Sequence, residues 1–296
     1  MKSYLPAFLG PCSIMIISAY LALQGLADHY FWDDEAGTAI FAENFLRFGK
    51  LTAWDGRNLM AYRNGMELDA DFINRFVPPL QFFLAAASFR LLGISTFSGR
   101  LPFALTGLAS LVFFYLALRR EAGGKRSLII YGLLLLAFSP SFLLFIRQCR
   151  YFSLTVFFPL LCYYSYKSYS STHKLRYLFG LAGGLIGLFF SHYLIFAAFA
   201  YALLGLHLKY YVRKERLFPY LTVGGIVCAA IAAYIFTSGI IFPAFQPISV
   251  KKWLLERLII LGRNFREINA YNFFPWGMLP GLIWLGRDKG YHSFPA

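Results

Sequence analysis

Long apolar runs, every second one closed by a short cluster of Lys and Arg, constrain this chain more than any motif does. Runs near 5–26, 98–118, 127–146, 152–167, 176–192, 194–209, 218–243 and 273–286 are almost free of charge. A helix needs about 20 apolar residues to cross a bilayer core. Backbone in lipid must satisfy its own polar groups, so these runs are read as helices. With 58% hydrophobic and only 14% charged residues over 296 positions, a soluble domain is excluded. The expected fold is all-α: a polytopic transmembrane helix bundle, one domain over 1–296. The first run is longer than the apolar core of a cleaved signal and is read as a retained anchor. The net charge of +14 does not point to nucleic acid, because the basic residues fall between apolar runs rather than along one soluble face. Cys12, Cys149, Cys162 and Cys228 are scattered and read as small apolar residues.

The basic clusters orient the bundle. Short loops rich in Lys and Arg stay cytoplasmic. Arg119, Arg120, Lys125 and Arg126 form one cluster, and Lys167, Lys174 and Arg176 the next. Lys209, Arg213, Lys214 and Arg216 follow, then Arg287 and Lys289. All four fall on one side if the N-terminus is cytoplasmic and Pro78–Gly93 does not cross. That stretch, PPLQFFLAAASFRLLG, is short for a span and is expected to lie in the outer interface.

The acids are distributed in the opposite way. Nine of the fourteen Asp and Glu lie between 28 and 97, in what the topology makes a long first external loop. Loops this long are usually functional or disordered, and this one is aromatic and helix-patterned. Asp33, Asp34 and Glu35 open an amphipathic helix, favoured there by the helix dipole. Ala36, Ile40, Phe45 and Leu46 are its expected apolar face, with Glu43 and Arg47 turned elsewhere. The triplet has a bland reading, a helix start on a solvated negative loop. It also has a chemical one, because adjacent carboxylates repel and shift one another's pKa, which suits a general base or a metal site. LAGGLIGLFF, at 181–190, offers small residues for close helix packing.

The run WDDEAGTAIFAENFLRFGK resembles the first external loop of the C-type membrane glycosyltransferases, which include the protein O-mannosyltransferases and the lipid A aminoarabinose transferases. Asp34-Glu35-Ala36 and Asn44 to Gly49 match that pattern in order and spacing. VPPLQFFLAAASFRLLGISTFSGRLPF is similar to the family's Pro-Pro-Leu interfacial helix and the Arg-Leu-Pro opening of its second span. FSPSFLLFIRQCRYF is similar to its third-to-fourth-span turn, with Arg150-Tyr151 in register. SHYLIFAAFAYALL resembles the turn that often carries a His. The resemblance covers about 28–205. Relatives usually exceed 400 residues, so the chain resembles a member shortened at its C-terminus. Many relatives place an acid or His directly before the Pro-Pro pair, where this chain has Phe76 and Val77.

The resemblance implies a glycosyltransferase that takes a polyprenyl-phosphate-sugar donor and serves a lipid, glycan or protein acceptor. It would be a multi-pass protein of a bacterial inner or plasma membrane, acting on the extracytoplasmic face. Asp34 and its neighbour Glu35 would be catalytic, and Arg147 and Arg150 would hold the donor phosphate. His192, Asp69 and Asp71 are candidates for acceptor or metal contact, and a divalent metal is left open. Arg147 and Arg150 also suit ordinary interface anchors, and a lone interfacial His is often structural. A flippase for lipid-linked intermediates is the main alternative. It would call for ionisable residues or helix breaks midway along the spans, and these are scarce. A non-catalytic membrane module is the third.

Overall fold

A computed structural model describes residues 5–60, 65, 68–210, 217–238, 255, 257–260 and 263. Ten helices are assigned over them: α1 (Leu5–Leu23), α2 (Asp33–Phe48), α3 (Leu80–Leu92), α4 (Thr96–Glu121), α5 (Arg126–Ala137), α6 (Pro140–Ile146), α7 (Phe152–Thr172), α8 (Leu175–Ser191), α9 (Tyr193–Tyr210) and α10 (Leu217–Ser238). No strand longer than an isolated bridge occurs among the described residues. The fold is therefore the expected all-α membrane bundle.

Each apolar run within the described region is helical, and the run near 273–286 lies outside it. By length and composition, Thr96–Glu121 and Phe218–Ser238 each suffice to cross a membrane. The run 127–146 departs from a single straight span. It divides into α5 and α6, bent by 56°. Pro140 lacks an N–H for the preceding turn, while Ser139 Oγ accepts from Phe142 N at 3.4 Å and starts a new helix.

Two packing arrangements position the first loop. Helix α7 lies along both α4 and α8. Gly180, Gly184 and Gly187 of α8 face Ser165, Cys162 and Phe158 of α7, so closely that a methyl at any of the three would collide. The small residues of 181–190 thus do form a helix-packing face. Helix α2 packs on α3, and α3 on α4. Ala39 and Ala42 meet Ala85, Ala86 and Phe89 of α3, Phe103 of α4, and Cys149 and Leu154 at the start of α7. Phe41 and Phe82 stack beside Ala53, 5.1 Å between ring centroids.

The buried face of α2 only partly matches the one its large apolar residues suggested, with Phe45 packed against the core. Glu35, Thr38, Ala39 and Ala42 are buried, with Gly37, Phe41 and Asn44, whereas Leu46 is exposed. Helical spacing still governs the pattern. Ala39 and Ala42 face α3 and the start of α7, while the large Phe41 is buried against Phe82. Glu43 and Arg47 do turn outward, as an i,i+4 ion pair. Gly49 closes the helix, its N–H reaching Phe45 O at 2.9 Å.

Candidate active site

The first turn of α2 presents its three acids to three different environments. Asp33 is exposed. Asp34 makes an ion pair with Arg150, with side chains 33% and 19% exposed. Glu35 is 1% exposed, and its carboxylate takes a two-pronged bond from Arg100: Nε to Oε1 at 2.9 Å and Nη2 to Oε2 at 2.7 Å. Cys149 N–H adds a third donor to Oε1 at 2.7 Å. Arg100 in turn gives hydrogen bonds to the carbonyls of Leu26, His29 and Tyr30 at 2.9–3.0 Å. Helix α4 thus clamps the chain leading into α2 at several points, and the turn before α7 holds it from the other side.

Arg150 lies among aromatic rings. Its guanidinium carbon is 5.2 Å from the Tyr151 ring centroid, 5.4 Å from Phe152 and 6.0 Å from Trp32. Tyr151 meets His192 edge to face at 4.9 Å. His192 joins α8 to α9, where burial pushes its imidazole below the ordinary pKa. A cleft of about 620 Å³ opens beside this cluster, between the end of α1 and the α6–α7 turn. Its lining includes Gln24, Asp28, Trp32, Glu35, Arg147 and Gln148. Arg147 is anchored through Nη2 to Gln24 O at 2.6 Å.

Asp34 and Arg150 are joined by their ion pair, and His192 stands behind Arg150 across Tyr151. Glu35 and Arg147 line the adjoining cleft, whose lining does not include Asp34 or Arg150. Asp69 and Asp71 belong to another part of the loop. Asp69 accepts from Arg75 Nε at 2.8 Å, Ile73 N at 2.9 Å and Asp71 N at 3.0 Å. Neither residue lines the cleft. Among the described residues, no three His, Cys, Asp or Glu come together in a group able to hold a metal ion.

Arg100 escaped the sequence reading. Its signal was available: a lone cation at the mouth of an apolar span implies a nearby carboxylate partner. Which carboxylate could be decided only by the packing of α4 on α2's approach.

The family model for dolichyl-phosphate-mannose-protein mannosyltransferase matches residues 77–236, more than half of the chain. This chain belongs to that family. It is an integral membrane glycosyltransferase of the mannosyltransferase kind. No curated protein and no solved structure matches it. The match to the mannosyltransferase family covers Arg100, Arg147, Arg150 and His192, and it begins after α2. The acids of α2 are joined to the matched region physically, Glu35 through Arg100 and Asp34 through Arg150.

Proposed function

We propose that this mannosyltransferase-family chain, as one transmembrane domain, moves a sugar from a polyprenyl-phosphate donor to an acceptor hydroxyl on the extracytoplasmic face, with Asp34 as general base. The Asp34–Arg150 ion pair beside a cleft carrying a second arginine is the observation that carries this reading. The acceptor oxygen attacks the anomeric carbon. The bond from that carbon to the phosphate oxygen breaks, and the polyprenyl phosphate leaves with the electron pair. The acceptor proton passes to Asp34.

Charge then moves in a way the pair can follow. Asp34 loses its negative charge as it takes the proton, and the departing phosphate gains one. Arg150, freed of its partner, can stabilise the leaving group at the moment it needs a cation. Arg147 supplies a second positive charge within the cleft. Glu35, fully used by Arg100 and Cys149 N–H, acts as a positioning residue for the α2 turn. The acceptor class, whether lipid, glycan or protein, is that of any hydroxyl able to reach Asp34. The alternation of basic clusters supports a cytoplasmic N-terminus and an outer site.

Asp34→Asn preserves size and removes the base. Sugar transfer from a polyprenyl-phosphate donor in liposomes is expected to fall about 10²–10⁴-fold, with unchanged protein level and melting temperature. Transfer at the wild-type rate would remove Asp34 from the chemistry.

A further inference from the structure

We infer that Asp28 and Gln148 form the subsite that reads the hydroxyls of the donor's sugar, with Trp32 as its aromatic wall; the inference rests on the glycosyl-transfer reading above. All three residues line the cleft that also contains Arg147. The cleft has two carboxylates. Glu35 is taken up by Arg100 and Cys149 N–H, whereas Asp28 has no ion-pair partner among the described residues. Gln148 adds an unmet demand. Its Oε1 is buried and has no hydrogen-bond partner among the described residues. A buried acceptor without a donor is costly, so the position calls for a ligand that donates.

The Asp28 carboxylate and Gln148 Oε1 accept, whereas Arg147 only donates. This separates the two ends of a donor molecule. Sugar hydroxyls can give their protons to Asp28 and Gln148, and phosphate oxygens cannot. Phosphate oxygens suit Arg147. Trp32 is 47% exposed beside them, leaving indole surface for the apolar C–H face of a pyranose ring. The ligand class that meets all these demands is a neutral pyranose with free hydroxyls, linked to a phosphate.

Gly25 makes the arrangement possible. Its φ of +62° is a left-handed conformation, and a methyl there would lie 2.5 Å from Asp28 Oδ2. The carboxylate is folded over the glycine, so Gly25 is a positioning residue for Asp28.

The test measures binding, in nanodiscs, of polyprenyl phosphate and of polyprenyl-phosphate-mannose by the full chain. The wild type is expected to prefer the mannosylated lipid. Asp28→Asn and Gln148→Leu should each reduce that preference about tenfold, while affinity for bare polyprenyl phosphate stays unchanged. Gly25→Ala should act like Asp28→Asn. A full preference retained in both Asp28→Asn and Gln148→Leu overturns the subsite, as does a wild type with no preference. An equal loss of affinity for both lipids overturns it too, since that marks general damage. Failure of the transfer reading shows separately, as an Asp34→Asn variant that still transfers sugar.

Discussion

Glu35 and Arg100, 65 positions apart, close a buried two-pronged ion pair that ties the start of α2 to the start of α4. With Glu35 1% and the Arg100 side chain 11% exposed, either charge is poorly hydrated if the other is lost. Breaking a buried pair from one side costs about 3–5 kcal/mol. Arg100→Leu and Glu35→Ala are therefore expected to lower the melting temperature in detergent sharply. Glu35→Gln should be milder, because an amide oxygen can still accept from Cys149 N–H. Melting curves that coincide with wild type for all three would show that the pair does not hold the fold.

Arg150 and Arg147 are expected to fail differently. Arg150→Ala unpairs Asp34, whose carboxylate is one-third exposed, so transfer should fall far more than stability does. Arg150→Lys should recover part of the rate, since an ammonium supplies the charge without the planar fork. Arg147→Ala should raise the donor KM about tenfold, as expected for one lost charge-assisted bond to phosphate, with a smaller change in kcat. Steady-state kinetics against donor concentration separates the two; an unaltered donor KM in Arg147→Ala would return that residue to an interface anchor.

Asp69 organises the far part of the first loop, and its titration gives a pH window. Partial burial raises its pKa, but the bonds from Arg75, Ile73 N–H and Asp71 N–H outweigh this and hold the carboxyl below its ordinary 3.8. A carboxyl depressed in the folded state contributes stability that is fully present above pH 3.8 and is lost as the pH falls through the lower folded value. Limited proteolysis of the loop around Asp69 is expected to be flat from pH 8 to pH 5 and to accelerate only below about pH 4. Asp69→Asn should be cut readily at every pH. Equal cutting of wild type and Asp69→Asn at pH 7 would dispose of this role.

The orientation is open to direct labelling. Gly124 stands in the turn between α4 and α5 beside Lys125 and Arg126, and Asn58 in the acidic loop after α2. Single cysteines there should react from opposite sides in intact cells, position 58 with an impermeant reagent and position 124 only after permeabilisation. Labelling of both from outside would overturn the proposed topology.

Helical character, membrane residence and the acidic first turn of α2 were determined by the sequence alone. They depend on local properties: run length, charge spacing, and the preference of carboxylates for a helix N-terminus. The bend at Ser139–Pro140 was equally local, although a continuous apolar run concealed it. The division of labour among Asp33, Asp34 and Glu35 was decided only in three dimensions. Three adjacent carboxylates differ little in sequence, and their roles depend on which cations reach them. The turn before α7 brings Arg150 to Asp34, and the first turn of α4 brings Arg100 to Glu35, leaving Asp33 to solvent. The same holds for the inner face of α2, where Ala39 and Ala42 are buried and Leu46 is not. Hydrophobicity ranked the larger residue as the inner one. Which side of α2 meets α3 and the start of α7 is a property of the folded bundle, and that side carries Ala39 and Ala42.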